Sequence, residues 1–282
     1  MTSASALPRK LGIAGLGLMG GSLARAVKAL DPTVHVVAVE PHPMVRAHAL
    51  ADHVVDEALE QPGPELAGCT LAVLCTPVAA IEALLAPVSR LLPDGAVLTD
   101  VGGAKERIIA EARGAVRPGV RFVGAHPMFG GHGGYAAGTA DRWKGGTVAV
   151  CTDGDPGAVD RVAAFHAALG ATVVRCRAED HDEAVAMVSH LPYLVASALA
   201  SAAREAGPLA MRLAGPGLKD TTRLAEFAFD IQGEVARRNR HLPDAARRLE
   251  RHLSKLLAAV VESPQAAREA LEAARAAREE IF

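Results

Sequence analysis

The first half of the chain alternates short apolar runs, rich in β-branched residues, with longer stretches of helical periodicity. This alternation is typical of a parallel sheet whose two faces are covered by crossover helices. It predicts strands at 11–14, 35–39, 71–75, 96–99, 122–124, 147–151 and 172–176, with helices between most of them, for instance at 20–30, 79–91 and 156–169. We therefore expect an α/β fold with a doubly wound, Rossmann-type parallel sheet.

The pattern changes after about Arg177, where the strand-like runs stop. Apolar residues then recur at helical spacing and form one stripe, which predicts helices packed on helices. The stripe consists of Leu249, Leu253, Leu256, Leu257, Val260 and Val261. Ser263 followed by Pro264 is typical of the cap and first position of a last helix. We expect an α/β domain over residues 1–177 and an all-α C-terminal domain over 178–282.

Composition and charge limit the classes of function. Half of the 282 residues are hydrophobic, and the formal charge of −2 gives no electrostatic case for binding nucleic acid or an anionic membrane. The four cysteines lie far apart without C-x-x-C spacing, so we expect reduced core thiols and no metal site. The N-terminal MTSASALPRK is not an apolar signal segment, and the apolar stretch 71–92 is interrupted by Pro77, Glu82 and Pro87. These features predict a cytoplasmic protein.

A glycine-rich motif follows the first predicted strand. Gly15, Gly17 and Gly20, in AGLGLMGGS, satisfy G-x-G-x-x-G at the start of a predicted helix. Glycine allows the tight turn and lets a pyrophosphate approach the backbone, while the helix N-terminus supplies amide donors. We expect this loop, with Leu18 and Met19, to bind a dinucleotide.

An acidic residue indicates which dinucleotide binds. Glu40 lies at the end of the second predicted strand, twenty positions beyond Gly20. A carboxylate there accepts a hydrogen bond from a ribose 2′-hydroxyl and repels a 2′-phosphate. The next residues, PHP, offer no arginine for a phosphate, although Arg46 is near enough in sequence to turn towards one. The sequence therefore favours NAD over NADP, with Thr76 and Pro77, after the third predicted strand, as further cofactor contacts.

A second glycine-rich loop, VGAHPMFGGHGGYAAG, begins with a histidine. His126 follows an apolar run at the carboxyl end of a predicted strand, where doubly wound sheets bind ligands. An imidazole is suited to take a proton near neutral pH. His126 is therefore a candidate acid-base group, the alternative being a buried histidine that holds the loop.

Five segments together carry a resemblance to a known family. They are GLGLMGGSLA, TDVGGAKERI from Thr99, GAHPMFGG from Gly124, HDEAVAMVSHLPYLVASAL from His181 and LKDTTRLA from Leu218. In order and spacing this set resembles the prephenate and arogenate dehydrogenase family of tyrosine biosynthesis. The resemblance implies a dinucleotide-binding domain over 1–177 and a helical substrate-binding and dimerisation domain over 178–282, usually in a homodimer. It also implies NAD- or NADP-dependent oxidation of a cyclohexadienol carbon, with loss of the ring carboxylate as carbon dioxide.

The resemblance also assigns roles to individual residues. His126 matches the family's catalytic histidine. Arg223 in DTTR matches the arginine that binds the ring carboxylate, a group that a guanidinium pairs bidentately. Asp220 is a candidate to orient Arg223 or, alternatively, a helix N-cap. His190 is placed near the substrate, the alternative being a structural histidine.

Two further residues near these motifs carry structural expectations. Pro192 lies inside the apolar helical run that contains His190. A proline there leaves the carbonyl four residues earlier unpaired, so we expect a kink at the domain junction. Lys105 follows the turn Gly102-Gly103; we interpret it as an exposed lysine or, alternatively, as support for the cofactor or substrate.

Several positions depart from the commoner family pattern. Gly103 replaces a serine, His132 a glutamate and Tyr193 a histidine, and EFAFDIQGEV lacks the usual SDP-x-x-W. These positions bear on whether the substrate carries the keto acid of prephenate or the amino acid of arogenate. Because histidine is a poor partner for an ammonium group, we expect prephenate, with His132 and Tyr193 as donors to its side chain. Arogenate, or both compounds, is the alternative.

Two other functions fit parts of the sequence. GLGLMGG also resembles the start of the β-hydroxyacid dehydrogenases, and Lys219 in GPGLKD matches the lysine on which they rely, but HPMFGG and SHLP have no counterpart there. A non-catalytic NAD-dependent sensor is the second alternative. The presence of both His126 and Arg223 disfavours it.

Overall fold

The structure is a computed structural model that describes residues 6–131 and 133–281. Its first sheet consists of β1 (Lys10–Ala14), β2 (His35–Val39), β3 (Glu57–Leu59), β4 (Leu71–Leu74), β5 (Val97–Asp100) and β6 (Arg121–Val123). All neighbours are parallel, in the order β3-β2-β1-β4-β5-β6. The doubly wound, Rossmann-type fold predicted from the sequence is confirmed. β3 was not predicted, because its residues EAL are only half-buried and show no alternation.

Helices cover both faces of this sheet, and apolar side chains pack on each face in two separate core clusters. The helices of the N-terminal part are α1 (Leu18–Leu30), α2 (Pro43–Ala51), α3 (Val78–Leu91), α4 (Lys105–Ala115) and α5 (Pro156–Ala168). Strands covered on both faces need apolar residues at nearly every position. The buried runs of β4 and β5 meet this requirement.

Three further strands form a separate sheet: β7 (Ala125–Pro127), β8 (Thr147–Cys151) and β9 (Thr172–Cys176). β7 runs antiparallel to β8, and β8 runs parallel to β9. The expectation of one parallel sheet is therefore wrong for β8 and β9. The chain changes sheets at Gly124, where an added Cβ atom would lie 3.0 Å from Ile109 Cδ1. Periodicity identifies strands but does not tell which sheet each strand joins.

A buried ion pair connects the two sheets. Lys105 and Asp100 are fully buried, and Lys105 Nζ donates to Asp100 Oδ2 at 2.5 Å and to the carbonyl oxygen of Ala125 at 2.8 Å. Asp100 also accepts from the backbone N–H groups of Gly102 (2.8 Å) and Ala125 (3.2 Å). The interpretation of Lys105 as an exposed lysine is wrong, because here a carboxylate compensates its charge in the interior.

The C-terminal part is helical, as predicted. Its helices are α6 (Ala178–Val185), α7 (Leu191–Glu205), α8 (Pro208–Leu213), α9 (Pro216–Thr222), α10 (Glu234–Arg238), α11 (Leu242–Glu262) and α12 (Pro264–Ile281). A π-helical turn, Ala186–His190, joins α6 to α7 just before Pro192, and such turns are a recognised cause of helix bending. Ser263 caps α12 as predicted, because its Oγ accepts from the backbone N–H of Ala266 at 3.1 Å.

The apolar stripe on α11 faces outward in a single copy of the chain. Leu253, Leu257, Val260 and Val261 are between 54% and 85% exposed. The stripe was predicted to pack against helices, and within one copy of the chain these four side chains remain uncovered. A contiguous exposed apolar face of this kind is typical of an interface with another molecule.

The helical run Ala178–Glu205 is long and apolar enough to cross a membrane by length and composition, and 28% of its most apolar window is buried. It also contains His181, Asp182 and His190, which are buried and hydrogen-bonded to other protein groups. Such paired polar groups fit a helix that packs inside a folded protein.

Replacing Lys105 with Met should lower the free energy of unfolding by about 3–5 kcal/mol, because Asp100 would keep a buried charge without its partner. The same substitution at Lys144, whose ion pair with Asp141 is exposed, should change it by less than about 1 kcal/mol. Urea denaturation followed by circular dichroism measures both values. Adding Asp100→Asn should restore part of the stability of Lys105→Met. Equal losses for the two lysine variants would contradict the importance of the buried pair.

Candidate active site

A cavity of about 520 Å³ lies beyond the carboxyl ends of β1, β4 and β5, and segments of the C-terminal part close its other side. This edge is where doubly wound sheets bind their ligands. The cavity is lined by eight of the cofactor- and substrate-binding candidates predicted from the sequence: Gly17, Leu18, Met19, Thr76, Pro77, His126, His190 and Tyr193. The structure therefore brings most of the expected cofactor and substrate contacts into one space.

The glycine-rich loop has the geometry of an anion cradle. Gly15 has a φ of +90°, and an added Cβ atom there would lie 2.6 Å from Thr76 Cγ2. At Gly20 a Cβ atom would overlap the carbonyl oxygen of Gly15, whereas at Gly17 it would meet nothing within 4 Å. α1 begins directly after Gly17 without a side-chain cap. Its first amide groups therefore remain available to an anionic ligand.

Glu40 is directed at this loop. Its Oε2 accepts from the backbone N–H of Leu16 at 2.8 Å, and its Oε1 accepts from the backbone N–H of His42 at 2.9 Å. Arg46 donates to the carbonyl oxygens of Glu40 (2.7 Å) and Pro41 (2.8 Å). Because main-chain carbonyls occupy its guanidinium, Arg46 is not turned towards a phosphate.

Thr76 adds a polar group to the same edge of the cavity. Its Oγ1 atom is buried and has no hydrogen-bond partner among the described residues. A buried hydroxyl without a partner costs free energy, which a ligand recovers when it supplies the missing hydrogen bond.

His126 lies on β7, opposite Ala149 of β8. Its Nδ1 is 3.0 Å from His181 Nε2. A Cβ atom added at Gly103, which also lines the cavity, would lie 3.5 Å from both Cε1 and Nε2 of His126. The Nε2 edge of the ring therefore faces the cavity. Burial, followed by the nearby His181, Lys105 and His190, holds the pKa of His126 well below its ordinary value.

His181 and Asp182 extend this contact into the protein. His181 Nδ1 is 2.7 Å from Asp182 Oδ1, and both side chains are about 2% exposed. Asp182 also accepts from the backbone N–H groups of Lys105 (2.8 Å) and Glu106 (2.9 Å), at the start of α4. Burial raises the pKa of Asp182, but the hydrogen bonds from His181 and these two amides together lower it below its ordinary value.

His190 lies at the end of the π-helical turn and lines the cavity. Its Nδ1 is 3.0 Å from Asn239 Nδ2, which also donates to the carbonyl oxygen of Asp182 at 2.6 Å. Burial lowers the pKa of His190 to about 4. His190 is therefore neutral near pH 7.

Three residues predicted to act on the substrate, in either family, are not among those that line the cavity. Arg223 begins a 3₁₀ turn, Arg223–Glu226, and is exposed, although the next residue, Leu224, lines the cavity. Asp220 is exposed near the end of α9, so it is not the N-cap considered as an alternative. Lys219, the lysine of the β-hydroxyacid dehydrogenase alternative, is exposed on the same helix. His132 lies outside the described residues.

Sequence reasoning missed four residues near the site. His181, Asp182 and Asn239 form the hydrogen-bonded cluster behind His126 and His190. Gln232 lines the cavity from the segment that departs from the family pattern. A histidine-aspartate pair inside an apolar helical run was the available signal. It indicates buried polar groups but not their partners.

Comparison with protein families gives two matches along the chain. Residues 23–175 match the model of the prephenate dehydrogenase nucleotide-binding domain, and residues 177–273 match that of the prephenate dehydrogenase dimerization domain. A prephenate dehydrogenase from Bacillus subtilis is 28% identical over 238 residues, which is 81% of this chain and 63% of that protein. The chain thus spans less than two thirds of the length of this curated relative.

Solved structures agree with this match. The arogenate dehydrogenase of Synechocystis is 27% identical, with a TM-score of 0.83, and the alignment covers 97% of this chain and 100% of that one. The prephenate dehydrogenase of Aquifex aeolicus, in complex with hydroxyphenyl propionate and NAD+, has a TM-score of 0.90 at 23% identity, covering 97% and 98%. The nucleotide-binding match alone spans more than half of the sequence, and the chain belongs to the prephenate dehydrogenase family.

Proposed function

We propose that the protein is an NAD-dependent prephenate dehydrogenase, which oxidises and decarboxylates prephenate to 4-hydroxyphenylpyruvate in tyrosine biosynthesis. The observation that carries the proposal is the position of His126. A half-buried, neutral imidazole presents Nε2 to the same cavity that the glycine-rich loop lines. A base beside a nucleotide site suits the oxidation of an alcohol.

The residues present fit NAD. The open backbone at Gly17 and the first amides of α1, at Leu18 and Met19, suit the pyrophosphate. Glu40 suits a ribose hydroxyl, and the occupied guanidinium of Arg46 disfavours the 2′-phosphate of NADP. The partnerless hydroxyl of Thr76, beside Pro77, would contact the bound cofactor near the substrate. NAD, when bound, accepts the hydride from the carbinol carbon.

His126 Nε2 would take the proton from the substrate hydroxyl as the carbonyl forms. Loss of the ring carboxylate as carbon dioxide then leaves its electron pair in the ring, which becomes aromatic with a phenolate oxygen. His126 can return the proton to that oxygen. The reaction therefore needs no net proton release, and one imidazole serves both proton transfers.

Arg223 remains our candidate for binding the ring carboxylate. Its guanidinium is exposed and makes no ion pair within the part of the chain that the structure describes, so it is available to a substrate. Leu224, beside it, lines the cavity. Asp220, one turn earlier on α9, is the candidate to orient it.

The lining of the cavity favours prephenate over arogenate. The relatives do not decide, because a 28% identical relative is a prephenate dehydrogenase and a 27% identical one is an arogenate dehydrogenase. Tyr193, Ser189 and Gln232 line the cavity, whereas no described lining residue is an aspartate or glutamate. A keto acid needs donors, and an ammonium group needs an acid or carbonyls. We also keep His132 as a donor to the substrate side chain.

We further propose that two copies of the chain form a homodimer through the C-terminal helices. The match to a dimerization domain and the exposed apolar stripe on α11 support this assembly. In this proposal residues 1–177 bind the dinucleotide, and residues 178–282 bind substrate and the second copy. The four cysteines are free thiols, which suits the reducing cytoplasm.

The purified protein should form NADH when supplied with prephenate and NAD. We expect a higher kcat/KM with NAD than with NADP, and a higher kcat/KM with prephenate than with arogenate. Tyr193→Phe should raise the KM for prephenate about 5- to 10-fold through one lost hydrogen bond and leave the KM for NAD unchanged. Absorbance at the NADH band measures every rate. No turnover of either compound would contradict the function, whereas faster use of arogenate would contradict only the substrate assignment.

His126→Asn should lower kcat by roughly 10²- to 10⁴-fold, as expected for a lost acid-base group, and leave NAD binding nearly unchanged. In the wild type, protonation removes the base, so kcat/KM should fall on the acidic side, below pH 6.5, because the pKa of His126 is lowered. The variant should lose this dependence. His48→Asn, at an exposed position, is the matched control. Full turnover by His126→Asn would show that His126 only holds its loop.

A further inference from the structure

The hydrogen-bonded chain Asp182–His181–His126 ends at the cavity, and its three members lie on two different elements. His126 comes from β7, while His181 and Asp182 come from α6. The distances along the chain are 2.7 Å from Asp182 Oδ1 to His181 Nδ1 and 3.0 Å from His181 Nε2 to His126 Nδ1. His181 on α6 thus contacts a candidate base that is 55 positions away in sequence.

The chemistry of the three groups sets the position of each proton. A carboxylate only accepts, so His181 must donate to Asp182 from Nδ1. A neutral imidazole carries one proton, which leaves His181 Nε2 as an acceptor, and His126 must donate to it from Nδ1. The lone pair of His126 is then on Nε2, the atom that faces the cavity. The opposite tautomer of His126 would place a proton on Nε2 and remove the base.

The contacts of Asp182 stabilise its ionised carboxylate. Two backbone amides at the start of α4, those of Lys105 and Glu106, donate to its oxygens in addition to His181. The positive end of the α4 dipole favours a negative charge there. Asn239 binds the carbonyl oxygen of the same residue and so fixes its backbone. The acceptor at the end of the chain is therefore held by contacts that do not depend on either histidine.

We propose that His181 and Asp182 are positioning residues for the dehydrogenase reaction, which fix the reactive tautomer of His126 and stabilise its imidazolium once it has taken the substrate proton. This inference rests on the proposed function. The proton moves from the substrate oxygen to His126 Nε2, and the positive charge formed there is shared through His181 towards the carboxylate of Asp182. The same proton returns to the substrate oxygen after decarboxylation. His126, His181 and Asp182 therefore have the same protonation before and after each turnover.

The glycine at position 103 makes the contact between His181 and His126 more important. A Cβ atom added at Gly103 would lie 3.5 Å from His126 Nε2. Glycine therefore offers no hydroxyl to this edge of the ring. Within the described residues, the side-chain hydrogen-bond partner of the His126 ring is His181. The orientation and tautomer of His126 therefore depend on the contact at Nδ1.

Other charged and titratable groups surround the chain. Lys105, its partner Asp100 and Glu106 face it from β5 and α4, and His190 faces it from the π-helical turn. Lys105 and His190 disfavour a charge on His126, whereas Asp182 is the anion that reaches it through hydrogen bonds. Removing Asp182 should therefore leave His126 with neighbours that oppose its protonation.

The first test uses Asp182→Asn, which keeps the shape of the side chain but provides only one acceptor oxygen. We expect kcat to fall at least about 10- to 100-fold, the range for loss of a group that orients a metal-bound histidine, with little change in the KM for NAD. Asp180→Asn, exposed on the same helix, is the matched control and should keep wild-type kcat. Adding Asp182→Asn to His126→Asn should cause no further loss in kcat, because Asp182 acts through His126.

A second measurement is independent of turnover. Nitrogen NMR of the histidine side chains in the substrate-free protein should show His126 protonated at Nδ1 and not at Nε2 in the wild type. In Asp182→Asn and in His181→Phe the proton should move partly or wholly to Nε2. If Asp182→Asn fails to fold, His181→Gln remains: its amide oxygen can accept from His126 Nδ1 and should preserve the tautomer, while kcat still falls because the charge is no longer shared.

The outcomes separate this inference from the proposed function. Absence of NADH formation by the wild type would contradict the function and leave the NMR result to decide the tautomer. A proton on Nε2 of His126 in the wild type would overturn the inference. So would wild-type kcat in Asp182→Asn, or a further loss of kcat when it is added to His126→Asn.

Discussion

The buried contact between Lys105 and Asp100 determines where the parts of the site meet. Asp100 ends β5, Lys105 begins α4, and the ammonium group also binds the carbonyl oxygen of Ala125, the residue before His126. A buried charge tolerates little displacement of its partner, because each lost contact leaves it uncompensated in a low-dielectric interior. The ion pair thereby fixes the point at which the chain leaves the first sheet and starts the second, and with it the position of His126.

The same residue also links the two halves of the chain. While the side chain of Lys105 holds β7, its backbone N–H binds Asp182 of α6. The nucleotide-binding part and the first helix of the C-terminal part therefore meet at the start of α4. The cavity lies beside this junction, so a displacement of α6 would change the surroundings of His126 without any change in the glycine-rich loop.

The sequence predicted well those features that depend on local pattern. The strand, turn and helix around Gly17 follow from glycine spacing and periodicity, and His126 stands out within a loop that has few other side chains. The role of His181 was not predictable in the same way, because its partner His126 lies on a strand of the second sheet. Strand periodicity is identical in both sheets, so it does not reveal that the chain changes sheets at Gly124. For a related reason, apolar spacing predicts the α11 stripe but does not identify the surface that covers it.

The π-helical turn Ala186–His190 also determines the angle around the helix axis between the side chains of His181 and His190. An α-helix advances by about 100° per residue, so the nine steps from His181 to His190 would place these side chains about 180° apart around a regular helix. A π turn accommodates one extra residue and reduces the separation to about 80°. Both histidines can then be directed towards the same side of the helical run. The extra residue of this turn therefore fixes the direction of His190: regular α-helical winding over the same number of residues would rotate His190 and α7 by about 100° relative to α6.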